Sequence, residues 1–397
     1  MPIRIEYNFP PPYKSGERPT IILINNKRYD WIYEYFQLYS NVIHIQEDTF
    51  SSKIGYIKRQ ILYRVTGKVP KFIEKIIYKY IVSENLPLEW WQKRLLEEGY
   101  IDAIIVIHPA VLPRKLKKYN IKKIFWAYDD DVPLFFRVGL ALTLHGFVDT
   151  VYVTHEKVID MYKKANSPAK LRYIPYGIPT SIYYPDAERT GLEPAIFFIG
   201  TVTGTRKIFF NYLKNEMKKR GLPEIKLYTS IQHDYADAVR RFVLAIDVPR
   251  RREVNWRVFE VIGAGGLLVT GSKEEISKLI PVNGLFAYQG PILSHNLRVS
   301  SEEEIRESAR QAAGEIERAL DDPEEAGKVA SEVCKYSWRH HTLHDRICVI
   351  LDDLGYNCNK MWQKKVFEEV RNKAIKECEK LKERIAYALS VIASKQS

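Results

Sequence analysis

The chain alternates short runs of branched and aromatic residues with longer helical stretches, and it does so twice. The first set reads PTIILINN (Pro19 to Asn26), SNVIHIQ (Ser40 to Gln46), IDAIIVIHP (Ile101 to Pro109), KKIFWAYDDD (Lys122 to Asp131), DTVYVTH (Asp149 to His155) and LRYIPYG (Leu171 to Gly177). Apolar runs separated by helical stretches predict a parallel, doubly wound sheet. Polar residues arrive where the runs stop: His108, then Asp129, Asp130 and Asp131, then Thr154 and His155. In such sheets ligands bind beyond the carboxyl ends of the strands, so this placement points to a site.

The second set begins with PAIFFIGTVTGTRKIFFNYL (Pro194 to Leu213), a strand, a Gly/Thr loop and a helix that opens on Arg206 and Lys207. Free backbone N–H groups beside two cations are what a pyrophosphate requires, with Gly200 and Gly204 shaping the loop. As a pattern the loop is neither GxGxxG nor a Walker loop. IKLYTS (Ile225 to Ser230), RFVLAID (Arg241 to Asp247), GLLVTG (Gly266 to Gly271) and GLFAYQG (Gly284 to Gly290) supply further expected strands. The densest stretch is NWRVFEVIGAGGLLVT (Asn255 to Thr270): a short helix burying Val258, Phe259, Val261 and Ile262, ended by Gly263, Gly265 and Gly266, returning at once to a strand. Arg257 and Glu260 sit one turn apart on it. A plain helix-to-strand joint with a surface Arg and Glu is the competing reading.

With 397 residues, 46% of them apolar, the chain exceeds one ordinary core and implies two domains. The polar segment PDAERTGLEP marks the linker, giving an N-terminal domain over 1–185, a second over 186–355 and a C-terminal helix over 356–397. No uninterrupted apolar run is long enough for a membrane span, and the start MPIRIEYNFPPPYKSG lacks a signal-peptide core, so a cytoplasmic protein is expected. Cys334, Cys348, Cys358 and Cys378 form no CxxC, which argues for reduced thiols; richness in Ile, Tyr and Lys hints at a thermophile, where intracellular disulfides occur.

Most of the net charge of +12 lies in the first half: residues 1–185 hold 27 Lys plus Arg against 18 Asp plus Glu. KIGYIKRQILYRVTGKVPKFIEKIIYKY (Lys53 to Tyr80) interleaves cations with aromatic and aliphatic residues, a pattern for an anionic membrane surface or for a solvated face over a core. Without a helix-turn-helix, zinc-finger or RNP signature, specific nucleic-acid binding is not expected. Further on, SSEEEIRESARQAAGEIERALDDPEEAGKVASEV predicts two acidic helices with Ile305, Ala309, Ala312 and Ile316 buried. WRHHTLHDR (Trp338 to Arg346) reads as a helix start capped by His or Thr, not a metal site. From Met361 the apolar positions Trp362, Val366, Val370, Ala374, Cys378, Leu381, Ile385, Leu389 and Ile392 predict one long amphipathic helix, packed on the body or against another subunit.

These motifs resemble one family. IPYGIPTSIYYP is similar to the IPNGVD…F.P junction of GT-B glycosyltransferases, and NWRVFEVIGAGGLLVT to the R.FE..A.G..L.T segment of family-four-like enzymes related to spore-maturation glycosyltransferases. FFIGTVTGTRK and HHTLHDR match the same group in order and spacing, so the resemblance covers most of residues 100 to 350. It implies two Rossmann-like α/β domains facing each other across a cleft, the second holding a nucleotide sugar through Gly200, Gly204, Arg206, Lys207, Arg257, Glu260 and Gly265. Glu260 matches the second glutamate of the family's E-x7-E pattern, the one that holds the donor ribose. The first is absent: Arg252 stands eight residues earlier and Glu253 is displaced by one. Asp129 matches the strand end where related enzymes place a His or Asp beside the reacting carbon, with His108 second. Helix N-capping is the competing role for Asp129 to Asp131.

The expectation is therefore a glycosyltransferase, needing no metal or cofactor, that moves a sugar from a nucleotide-sugar donor to a glycan, lipid-linked or protein acceptor with retention. It would work in the cytoplasm, peripherally on the inner membrane face. The alternatives are a nucleotide-sugar epimerase of the same fold and a non-catalytic basic module for membrane or nucleic acid.

Overall fold

The computed structural model describes residues 3–7, 18–26, 30–47, 82–83, 95–107, 112–113, 117–128, 133–186, 193–202, 204–228, 235–293 and 299–394. The chain forms two units, 1–175 with 346–365, and 176–345 with 366–397. The first is built on a seven-stranded sheet of order β1-β3-β2-β5-β7-β8-β9. Its strands are β1 (Ile3–Tyr7), β2 (Thr20–Asn26), β3 (Asn41–Glu47), β5 (Ala103–Ile107), β7 (Lys122–Ala127), β8 (Thr150–Val153) and β9 (Lys170–Tyr173). Only β1 runs antiparallel, against β3; β4 (Val82–Ser83) and β6 (Leu112–Pro113) pair separately. Every residue of β5 is buried, as a two-faced central strand requires. Helices α1 (Asp30–Tyr39), α2 (Pro133–Leu144) and α3 (Glu156–Lys164) belong to this unit.

The second unit has a four-stranded parallel sheet of order β11-β10-β12-β13: β10 (Glu193–Ile199), β11 (Ile225–Tyr228), β12 (Phe242–Asp247) and β13 (Leu267–Thr270). Helices α4 (Thr205–Lys219), α5 (Tyr235–Arg241), α6 (Trp256–Gly263), α7 (Lys273–Leu279), α8 (Glu302–Asp321) and α9 (Pro323–His340) follow. On α8 the expected stripe Ile305, Ala309, Ala312 and Ile316 is buried, and Ser301 with Glu304 closes a capping box at its start. Helix α10 (Leu343–Asp353) begins after Thr342, whose hydroxyl accepts from Asp345 N–H, and α11 spans Trp362–Ser394. None of the described helices is long and apolar enough to cross a membrane.

Four expectations need correction. The first unit ends at 175, not 185, because Gly177 and Ile178 join the second: Ile178 N–H donates to His341 C=O at 2.7 Å and its C=O accepts from Leu343 N–H at 2.9 Å. Residues 356–397 form no separate third part but divide between the units at 365/366. Gly284 to Gly290 is not a strand; Ala287 and Gln289 make only isolated bridges to Thr270 and Ser272. The cysteines are not reduced thiols, since Cys334 pairs with Cys378 and Cys348 with Cys358. Sequence spacing hid the first pair because its two members, 44 residues apart, lie on α9 and α11, which run alongside each other. A Cβ on Gly327 would meet the Lys382 carbonyl oxygen at 2.2 Å, so glycine permits that close approach.

The tail's register also shifts over its first turns. Trp362, Val366 and Val370 are exposed, whereas Phe367 and Arg371 turn inward, Phe367 stacking on His344 at 3.6 Å and Arg371 pairing with Asp345 at 2.5 Å. From Ala374 onward the expected stripe is buried.

Candidate functional site

In the second unit the chain runs from β10 outward to β11 on one side, then returns to β12 on the other, so the topology switches between β10 and β12. Doubly wound sheets bind ligands beyond the carboxyl ends of the strands at that point. The residues beyond those two ends are Gly200 to Arg206 and Asp247 to Arg257.

The loop after β10 is held by Gly200 N–H donating to Tyr228 C=O at 2.8 Å. A Cβ on Gly200, at φ 150°, would lie 3.0 Å from Arg257 Nη2 and 3.1 Å from Phe198 Cζ, so glycine here lets a guanidinium close on the loop. Gly204, at φ 55°, turns the chain into α4, and no side chain caps that helix. Its first amides are therefore not occupied by a capping group and carry the positive end of the helix dipole.

Arg206, in the first turn of α4, folds back onto this loop. Its Nη1 donates to Thr201 C=O at 3.0 Å and its Nη2 to Val248 C=O at 2.8 Å, tying the end of β10 to the end of β12. Its buried Nε has no hydrogen-bond partner among the described residues. Arg257, in the first turn of α6, comes to the same place: both guanidinium carbons lie 5.4 Å from the Phe198 ring centroid. Burial, then the charges of Arg257 and Arg250, push the Arg206 guanidinium down to about 10, with Asp247 and Tyr288 opposing. Arg206 thus stands near two further cations, Arg257 and Arg250, and near one carboxylate, Asp247, whose Oδ1 is 4.0 Å from Arg257 Nη1. Such a cluster has the charge to receive a compact, multiply charged anion.

Helix α6 starts on Asn255, whose Oδ1 accepts from Arg257 N–H at 2.9 Å. One turn beyond Arg257, Glu260 is 6% exposed and accepts at Oε1 from Tyr183 O–H at 2.8 Å. Lys207 is exposed and takes no part in the buried cluster. Gly265 lies past the other end of α6, at φ 82°, a backbone conformation that favours glycine, with Leu381 of α11 packed over it. The structure therefore brings together Gly200, Arg206 and Arg257, holds Glu260 one turn away, and does not bring Gly265 to them. His108 and Asp129 to Asp131 lie outside the described residues; the strands before them end at Ile107 and Ala127. Of WRHHTLHDR, His340 faces the Tyr336 ring, His341 Nε2 bonds Leu279 C=O at 2.8 Å and His344 stacks on Phe367.

Sequence reasoning missed Asp247, Asn255, Arg250 and Tyr183 as members of the site. Two had a readable signal: Asp247 is the single polar residue of FVLAID and stands at its carboxyl end, and Asn255 precedes an amphipathic helix where a cap belongs.

Residues 224–352 match the protein-family model described as glycosyl transferase-like. No curated protein sequence is significantly similar to the chain. Among solved structures, it is similar to a UDP-forming α,α-trehalose-phosphate synthase from Burkholderia xenovorans, at 12% identity and TM-score 0.53, over 86% of this chain and 99% of that one. The structure of an α,α-trehalose-phosphate synthase from that organism with glucose-6-phosphate gives 10% identity and TM-score 0.54, over 84% and 100%. Sucrose-phosphate synthase from Thermosynechococcus elongatus gives 11% and 0.52, over 85% and 99%. At these identities the likeness is one of fold, and the fold is GT-B, with two Rossmann-like α/β units and a long C-terminal helix.

Proposed function

We propose that this GT-B glycosyltransferase moves a sugar from a nucleotide-sugar donor to a glycan, lipid-linked or protein acceptor, with retention and without a metal. The observation that carries the donor assignment is the convergence of Gly200, Arg206 and Arg257 at the switch point of the second sheet. As the bond to the sugar breaks, negative charge grows on the leaving diphosphate. Two half-buried guanidiniums and the uncapped start of α4 meet that charge where it forms, already oriented. Metal-free transfer is supported by this cation supply. Among the structures of similar fold, one is of a UDP-forming synthase, which favours a nucleoside diphosphate as the leaving group here.

Asp129, with His108 second, is the group assigned to orient or deprotonate the acceptor hydroxyl, on its sequence position after a parallel strand. The basic stretch Lys53 to Tyr80 would bring a lipid-linked acceptor within reach at an anionic membrane, and the exposed Trp362, Val366 and Val370 support association through α11.

The direct test is calorimetry with UDP, GDP, ADP and their sugars in excess chelator. One nucleotide series should bind and its sugar should transfer; binding by none would leave a non-catalytic module. Glu260 supplies a finer check. Glu260→Gln can still accept from Tyr183, so the melting temperature should hold, while loss of the charged acceptor for ribose hydroxyls weakens nucleotide binding by about 1.5 to 3 kcal/mol. Normal binding with a lowered melting temperature would make Glu260 a purely structural partner of Tyr183.

A further inference from the structure

Strand β12 ends on a carboxylate that the donor assignment leaves without a task. Asp247 is fully buried, and a buried carboxylate requires donors. Asn255 Nδ2 donates to its Oδ1 at 3.0 Å and Thr270 Oγ1 to its Oδ2 at 3.0 Å. Because that uses the one proton of Thr270, Ser272 Oγ is the donor in the 2.8 Å bond between the two hydroxyls. The backbone of Asp247 is fixed as well: its C=O accepts from Tyr288 O–H at 3.0 Å and from Gly271 N–H at 3.1 Å.

These partners lead to the cations. Asn255 has one amide with two ends: the oxygen caps α6 at Arg257 N–H and the nitrogen goes to Asp247. An Asn255 amide turned the other way would aim N–H2 at the helix N–H groups and cap nothing. The carboxylate therefore selects the capping orientation. It also stands beside Arg206 and Arg257, whose mutual repulsion it relieves.

We propose that Asp247 is the positioning residue of the phosphate cradle, setting the start of α6 and the spacing of the guanidiniums without touching the ligand. The proposal rests on the reading of this site as one for a nucleoside diphosphate, and it has a consequence opposite to that of simple charge. Removing a negative group beside an anion site should, by Coulomb's law alone, tighten phosphate binding. If Asp247 acts by position, Asp247→Asn weakens it: the new amide faces Asn255 or Thr270 with a donor, the cap loses its orientation and Arg206 and Arg257 lose a shared counter-charge.

The experiment is calorimetry of the full chain with inorganic pyrophosphate and with UDP, GDP and ADP, with the corresponding nucleosides followed by NMR and melting temperatures measured alongside. Asp247→Asn should bind pyrophosphate and the diphosphate about tenfold more weakly while nucleoside affinity is unchanged. Thr270→Val keeps the shape, removes one donor and should shift affinity the same way by about threefold, which covers an Asp247 variant that fails to fold. Pyrophosphate binding by Asp247→Asn as tight as in the native chain, or tighter, overturns the proposal. So does an equal loss of nucleoside affinity, which would mean that the whole unit had loosened. A native chain that binds pyrophosphate but none of the three diphosphates sinks the donor reading and leaves Asp247 judged on pyrophosphate; one that binds neither sinks both.

Discussion

Replacing Arg206 by alanine should lower affinity for a nucleoside diphosphate by about 100-fold, on the order of 3 kcal/mol and the largest loss of any single cation here. The guanidinium fastens Thr201 to Val248, so its removal takes away a charge at the proposed phosphate site and also the tie between the two strand ends. Arg206→Lys should recover only part of the loss, because an ammonium supplies a point charge where the site uses a fork. Lys207→Ala, one residue along but exposed, should change affinity by about threefold or less. Calorimetry across the three variants decides the matter. Equal losses for Arg206→Ala and Lys207→Ala would mean that the helix start, and not the buried guanidinium, carries the anion.

The second large effect concerns stability. Cys334–Cys378 ties α9 to α11 within the second unit and closes a separation of 44 residues. In the chain-entropy account a loop of that size stabilises by about 4 kcal/mol, against about 3 kcal/mol for the shorter loop of Cys348–Cys358. A Cys334→Ala, Cys378→Ala variant should therefore melt lower by on the order of 10 °C in the transition of the second unit. Thiol reductant on the native chain should lower the same transition. A melting curve unmoved by both treatments would show the pairing to be thermodynamically idle. Nucleotide affinity measured well below the transition should be nearly unchanged, since neither cysteine lies in the cation cluster.

What the sequence made legible was whatever depends on local pattern. The strand runs from Pro19 to Gly177 and from Pro194 to Thr270, the glycine turn into α4, the cap and buried face of α6, and the stripe of α8 all follow from period, turn chemistry and capping. What escaped depends on contacts distant in the chain. Cys334 and Cys378 meet because two helices pack, which spacing alone cannot reveal. The boundary near residue 175 depends on the pairing of Ile178 with Thr342. The inward turn of Phe367 and Arg371 depends on His344 and Asp345, so the period of the tail predicted the helix but not its first facing residues. Gly265 looked like part of a ligand loop because local pattern cannot tell a glycine that admits a ligand from one that admits Leu381.

Both units are discontinuous, and the same last stretch of chain completes each: 346–365 for the first and 366–397 for the second. On a ribosome, where domains ordinarily fold as they emerge from the N-terminal end, neither unit can close early. The first must wait, with its sheet already made, until residues 346–365 have been synthesised. Tyr152 then receives Asp353 at 2.6 Å, and Lys122 Nζ reaches the Asp353 carbonyl at 2.8 Å. A nascent chain stalled before residue 346 would therefore hold two incomplete units, the first without Ile350 and Leu351 and the second without Leu381 and Ile385, all buried in the folded chain.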